Sequence, residues 1–126
     1  MSSCVFCKIV RGEAPAKIVR EWDDAMAFVP LDPVVPDVPD GHVLVIPHEH
    51  VDDAGVDPRV SGLTMVRASE LAGELDAMNI ITSKGEAATQ SVKHLHLHVV
   101  LRRDGDGLKL PWWDQQQAKK LGQPWP

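Results

Sequence analysis

Residues 94–100 read His94-Leu95-His96-Leu97-His98-Val99-Val100. A β-strand repeats every two residues and sends successive side chains to opposite faces. On a strand, the three imidazoles share one face, while Leu95, Leu97 and Val99 share the other. The apolar face anchors in a core. The histidine face presents a row of titratable nitrogens. An ordinary half-buried strand carries Thr, Lys or Glu at its polar positions. A tag is argued against by the internal, apolar setting. One tetrahedral metal site does not normally take three ligands from one strand, although one or two of these histidines could serve it. The pattern therefore reads as a catalytic strand over 91–101.

At 126 residues the chain is expected to be a single domain, 1–126, with a tail over 103–126. A chain this long buries roughly two thirds of its unfolded surface, enough for a two-layer core without staples. With 13 basic and 18 acidic residues the net charge is −5, which gives no electrostatic footprint for nucleic acid. A local phosphate site stays open. No apolar run is long enough to span a bilayer. Met1-Ser2-Ser3-Cys4 does not read as a signal peptide, so a cytoplasmic location is expected.

Along the chain, 4–11 reads as a short turn or helix. Strands are expected over 17–22 and 25–29 around Asp23-Asp24. Pro30, Pro33, Pro36 and Pro39 recur every third residue, which excludes a helix or a central strand and predicts an extended loop over 30–41. The strand 42–46 is apolar on both faces and should be central. Asp57-Pro58 supplies an N-cap and first helical residue, and Val60, Leu63, Val66, Leu71, Leu75 and Met78 follow at helical spacing. A strand over 79–83, a polar loop over 84–90 and the triad strand complete the order β-β-β-α-β-β. The expected fold is α+β, a five-stranded antiparallel sheet with one main helix packed on it. The end, 122–126, is expected on the surface or against a partner.

Imidazole is both a proton carrier and a nucleophile near neutral pH. A neutral ring nitrogen can attack phosphorus if its other nitrogen is held by an acceptor and donors meet the phosphate oxygens. The small residues of Ala87-Ala88-Thr89-Gln90-Ser91 would let backbone amides approach an anion.

The segment Gln90-Ser91-Val92-Lys93-His94-Leu95-His96-Leu97-His98-Val99-Val100 resembles the signature of the histidine triad (HIT) superfamily of nucleotide hydrolases and transferases. Phe6-Cys7-Lys8-Ile9-Val10-Arg11-Gly12-Glu13-Ala14-Pro15-Ala16 and Gly41-His42-Val43-Leu44-Val45-Ile46-Pro47 are similar to its N-terminal segment and central strand. The resemblance implies a homodimer whose two sheets join into one of ten strands. It implies His96 as the nucleophile on an α-phosphorus, forming a nucleotidyl-histidine, and His98 at the phosphate, assisting proton transfer to the leaving group. Gln90 and Ser91 would bond the phosphate, and His42 would orient the triad from behind.

Cys4 and Cys7 form a Cys-x-x-Cys pair. Three readings compete: a disulfide, a thioredoxin-like redox site and half of a zinc site. The expectation is zinc, with His50 and His94 completing a structural four-ligand set. Zinc-bearing members of the superfamily resemble this arrangement. His48 is expected to be exposed.

Pro30 stands where members of the superfamily usually carry Asp or Asn for the ribose hydroxyls, and Asp32 is the candidate replacement. Ser83 and Thr89 replace a frequent Asn and Gly in the phosphate loop, and the link 36–40 is longer than usual. The resemblance implies a purine nucleotide substrate. The leading function is an adenosine 5′-monophosphoramidase-like hydrolase or nucleotidyl transferase. Val34-Val35-Pro36 and Val92-Lys93-His94 resemble instead the fragile-histidine-triad branch, which implies a dinucleoside polyphosphate hydrolase. A nucleotide-binding regulator or scaffold and a zinc-only structural module are the readings from other classes. Trp112 and Trp113 are equally packing residues or substrate contacts.

Overall fold

The computed structural model describes residues 4–120 and 122. The order is α1 (Val5–Val10), β1 (Lys17–Glu21), β2 (Ala25–Val29), β3 (His42–Pro47), α2 (Pro58–Ala72), β4 (Met78–Ile81), β5 (Leu97–Leu101) and α3 (Trp113–Lys120). The strands form one sheet in the order β1-β2-β3-β5-β4, and every neighbouring pair is antiparallel. The expected five-stranded antiparallel sheet is therefore present.

Its centre is β3, all six residues of which are buried, as its two apolar faces require. Alternation along the strands builds two cores. On one face Val43, Val45, Leu95, Leu97 and Val99 meet Val60, Ala68 and Leu71 of α2. On the other, Leu44, Ile46, Met26 and Phe28 meet Phe6 and Ile9 of α1. Each fully buried aliphatic side chain is worth ~1.5–3 kcal/mol of transfer free energy. The histidines lie on the α1 face, since His98 is opposite Leu44 and His42 opposite Val100.

Helix α2 begins as its sequence dictates. The Asp57 carboxylate accepts from the Arg59 N–H at 2.9 Å, and Pro58 occupies the first turn, where no N–H is needed. It ends earlier than its apolar spacing suggests. Gly73 caps it, Leu75 lies beyond it and Met78 opens β4. Its buried stripe is Val60, Thr64, Ala68 and Leu71, whereas Val66 is exposed. A buried threonine fits because its hydroxyl donates to the Val60 carbonyl one turn back, at 2.7 Å.

Other boundaries also shift. Regular β5 starts at Leu97 rather than at 91, so His94 and His96 precede the strand. Residue 95 is held in place by its N–H bond to the Val51 carbonyl at 2.8 Å, outside the sheet ladder. Strand β4 covers 78–81 rather than 79–83. Two helices join the expected main one: α1, and α3 within the tail. Of the segment 122–126, only Gly122 falls within the described residues, so the expectation for that end lies outside them.

The loop 30–41 has no regular structure, as its prolines dictate, and is folded tightly onto β3. Val35 is 3% exposed, and a Cβ on Gly41 would come within 2.8 Å of its side chain. The Asp37 carboxylate takes a two-pronged bond from Arg103, both distances 3.0 Å.

Candidate functional site

Two clusters of side chains share the short segment 94–98. The first begins at α1. Cys4 is the N-cap, its sulfur accepting from the Cys7 N–H at 3.4 Å. One turn on, the Cys7 Sγ lies 3.2 Å from His50 Nδ1 and 3.5 Å from His94 Nδ1. Cys4 Sγ is also 3.5 Å from His94 Nδ1, and the two Nδ1 atoms are 3.1 Å apart. All four donor atoms fall within 4.8 Å of one another.

The tautomers explain what this cluster suits. His94 Nε2 lies 2.9 Å from the Pro47 carbonyl, which can only accept, so Nε2 carries the hydrogen and Nδ1 keeps its lone pair. His50 Nε2 donates in the same way to the Asp52 carboxylate at 3.0 Å. Two lone pairs therefore face each other beside two sulfurs, an arrangement compatible with a cation between them. Tetrahedral zinc with ordinary Zn–N and Zn–S bonds places its ligand atoms ~3.3–3.8 Å apart, close to the separations here. The anchored Nε2–H groups are the outer hydrogen bonds that orient metal-binding histidines. His48 stays out of the cluster. It is half-buried rather than exposed, and its Nε2 has no hydrogen-bond partner among the described residues.

The second cluster is His96, His98 and His42. His96 presents the opposite nitrogen. Its Nδ1 donates to the His94 carbonyl at 2.7 Å, which leaves Nε2 with the lone pair. Its ring packs against the edge of Phe6 at 5.2 Å, and its own carbonyl accepts from the Thr82 hydroxyl at 2.9 Å. Behind it runs a relay fixed by one backbone group. The Val34 N–H donates to His42 Nδ1 at 3.0 Å, so His42 must carry its hydrogen on Nε2. That hydrogen is donated to His98 Nδ1 at 2.9 Å, and His98 is left with its hydrogen on Nε2. A nitrogen lone pair and an N–H donor thus stand on adjacent rings whose centroids are 5.2 Å apart.

Burial pushes His98 down to about 4, with the neighbouring His96 and His42 adding to the shift. Burial also lowers His42. His94 is likewise held near 4, first by burial, against the raising effect of its bond to Pro47 and with His50 and His96 lowering it further. These three rings are neutral at pH 7.

Phe6, which packs on His96, also lines an apolar cleft of about 640 Å³, with Phe28 and Leu44 in its walls and Pro30, Leu31 and Pro33 at its rim; neither His96 nor His98 is among its lining residues. Of the expected nucleotide and phosphate contacts, Ser91 is the one among the described residues that lines it. Asp32 is exposed between Leu31 and Pro33 without lining the cleft, and Ser83 is half-buried elsewhere. Thr89 adopts a left-handed conformation (φ 68°), and its hydroxyl donates to the Ala88 carbonyl at 2.5 Å. Gln90 is occupied with the loop itself. Its carbonyl accepts from the Gly85 N–H at 2.9 Å, and its amide donates to the carbonyls of Asp52 at 2.6 Å and Val92 at 3.1 Å. This side chain ties the backbone of residues 85–92 to residue 52.

Sequence reasoning missed Thr82, Phe6, Asp52 and the backbone groups of Val34 and Pro47. Phe6 carried a signal, since it lies between the two cysteines. A backbone N–H or carbonyl that selects a tautomer has no sequence signature.

The HIT domain family model matches residues 11–105. An uncharacterized HIT-like protein of Methanocaldococcus jannaschii is 34% identical over 110 residues, 82% of this chain and 82% of that protein. An adenosine 5′-monophosphoramidase of Saccharomyces cerevisiae is 29% identical over 126 residues, covering 96% of this chain and 77% of the yeast protein. The crystal structure of a zinc-bound histidine triad family protein from Mycobacterium smegmatis superposes with a TM-score of 0.74 at 37% identity, over 86% of this chain and 81% of that one. With the HIT domain model matched over residues 11–105 and a relative 34% identical over 82% of each chain, this chain is a member of the histidine triad (HIT) family.

Proposed function

We propose that the protein is a nucleotide hydrolase or nucleotidyl transferase of the adenosine 5′-monophosphoramidase type, acting on the α-phosphorus of a purine nucleotide. One observation carries this reading: His96 is fixed with its Nε2 lone pair bare, beside a His98 fixed as an Nε2–H donor. His96 Nε2 attacks phosphorus, and the P–N bond of the substrate breaks. An amine carried as P–NH₃⁺ departs as NH₃ and needs no proton from the protein. The cationic nucleotidyl-His96 keeps its Nδ1–H on the His94 carbonyl, where the developing charge is met by an oriented dipole. His98 Nε2–H hydrogen-bonds the phosphate or the bridging atom, and Ser91, on the cleft wall, would give a further phosphate bond. Water or another acceptor then takes the nucleotide, the electron pair returns to Nε2, and the acceptor's proton leaves to solvent.

Cys4, Cys7, His50 and His94 would hold a zinc ion, whose contribution is a cross-link between α1, the turn after β3 and the triad segment. Four protein ligands leave no open position, so its role is structural. Dimerisation is supported by the open edge of β4 and by the exposed apolar side chains Met65 and Val66 on α2 and Ile81 on β4.

Intact-protein mass spectrometry after brief mixing with adenosine 5′-phosphoramidate tests the chemistry, with diadenosine polyphosphate alongside. A transient adenylyl adduct is expected on the wild type and not on His96→Ala. An adduct from the polyphosphate alone would transfer the assignment to dinucleoside polyphosphates. No adduct and no product from either would sink the enzyme reading.

A further inference from the structure

The cleft next to Phe6 is nearly without polar side chains. Among its lining residues only Lys17 and Ser91 carry one. Lys17 is largely solvated, its ammonium 3.9 Å from Asp40, and Ser91 belongs to the phosphate end. The other acidic groups of the loop 30–41 are committed or do not line the cleft. Asp37 is held by Arg103, and Asp32 does not line the cleft. At the rim, Pro30 and Pro33 have no backbone N–H to offer. Between them Leu31 stands fully exposed, its relative exposure 104%. A large apolar side chain held in solvent over an apolar cleft suits a flat apolar ligand that covers it.

We propose that this cleft takes a 5′-nucleotide by its base and its phosphate and leaves the sugar hydroxyls unread, so that 2′-deoxynucleotides serve about as well as ribonucleotides. The inference rests on the nucleotide reading given above. Its physical basis is the asymmetry of specificity. A site that hydrogen-bonds a hydroxyl rejects the analogue lacking it by ~10⁴–10⁵, because a buried polar group is then left unpaired. An apolar wall strands no such group, and loses little when the hydroxyl is gone. The substrate class widens to deoxyribonucleoside phosphoramidates and to other 5′-nucleotides modified on the sugar.

The test compares kcat/KM for adenosine, 2′-deoxyadenosine and 2′,3′-dideoxyadenosine 5′-phosphoramidates on the full chain. Calorimetric Kd values for AMP and dAMP are measured in parallel. Ratios within about five-fold are expected in both sets. Pro30→Asp puts a carboxylate on the rim, and a preference for the ribo substrate of at least ~20-fold should appear. No gained preference in that variant would show that the sugar does not sit at this rim, and would overturn the proposal. So would a wild-type ribo preference above about 50-fold. If Asp32→Asn then erased that preference, Asp32 would be the reader. Equal binding of AMP and dAMP without turnover would sustain the cleft inference and defeat the catalytic reading. Binding of neither would defeat both.

Discussion

His94 and His96 are the same residue type, two positions apart, both buried, and they present opposite ring nitrogens. The Pro47 carbonyl takes the Nε2–H of His94 and turns Nδ1 toward two sulfurs and a second histidine. The carbonyl of His94 takes the Nδ1–H of His96 and leaves Nε2 bare. In the proposed function, one carbonyl makes a metal ligand and the other makes a nucleophile. The lesson is that a histidine's role is assigned by whatever accepts from its other nitrogen. The two clusters are also mechanically joined, because His94 serves one through its ring and the other through its backbone, and Phe6 between the cysteines packs on His96.

The sharpest contrast comes from removing each ring. His96→Ala should lower kcat by ~10⁴-fold or more while the protein keeps its fold and its metal content, as loss of a nucleophile does. His94→Ala should do the reverse in order of severity. Metal content falls and stability drops by several kcal/mol, because a metal ligand is lost and the Pro47 carbonyl is orphaned, and activity declines as a consequence. Thermal unfolding with metal analysis and single-turnover rates separates the two. Equal loss of metal in both variants would break the division of labour.

Asp52→Ala probes the outer shell of the metal cluster alone. It should weaken metal binding by ~10–100-fold through His50, read by chelator competition, and leave the adenylyl-transfer rate of the loaded protein nearly unchanged.

Acid should report the catalytic relay. The folded His98 pKa, about 4, lies below the ordinary 6.5 of the unfolded chain, so unfolding takes up a proton between those values. The relay's contribution is intact above pH 6.5 and is lost as pH falls toward 4, with lowered His42 acting in the same direction. Denaturant titrations from pH 7 to 4 should show that decline, less steep in His98→Asn. A slope unchanged in the variant would remove His98 from the account.

The smallest effect belongs to Thr82→Val, which keeps the shape and deletes the hydroxyl bonded to the His96 carbonyl. A cost of about 1 kcal/mol in stability is expected. The activity loss should be several-fold and fall on kcat with KM unchanged. A change in KM alone would place Thr82 at substrate binding instead.

Much of the fold was legible because it rests on periodicity. Alternation put Leu95, Leu97 and Val99 in one core, the two apolar faces of 42–46 put that strand in the centre, and Asp57-Pro58 marked where α2 begins. Boundaries were less legible where tertiary bonds override pattern. His94 and His96 continue the alternation without belonging to the strand, because residue 95 is tied to Val51 rather than to a sheet neighbour. The helical spacing ran on through Leu75 and Met78, but Gly73 stopped it, and Val66 faced out. Gln90 carried the motif's identity and was claimed by the loop that it ties together.

The sequence by itself determined which residue types stand in the row, which residues of the strand share a face, and that two cysteines lie three residues apart. Those are consequences of short-range geometry, which repeats at two residues in a strand and 3.6 in a helix. Only the tertiary structure decided which nitrogen each imidazole offers, that Val34, Pro47 and Asp52 make that choice, and that an apolar cleft opens next to Phe6 and Ser91. Those facts depend on groups brought together from distant parts of the chain, several of them backbone atoms that every residue carries and no sequence distinguishes.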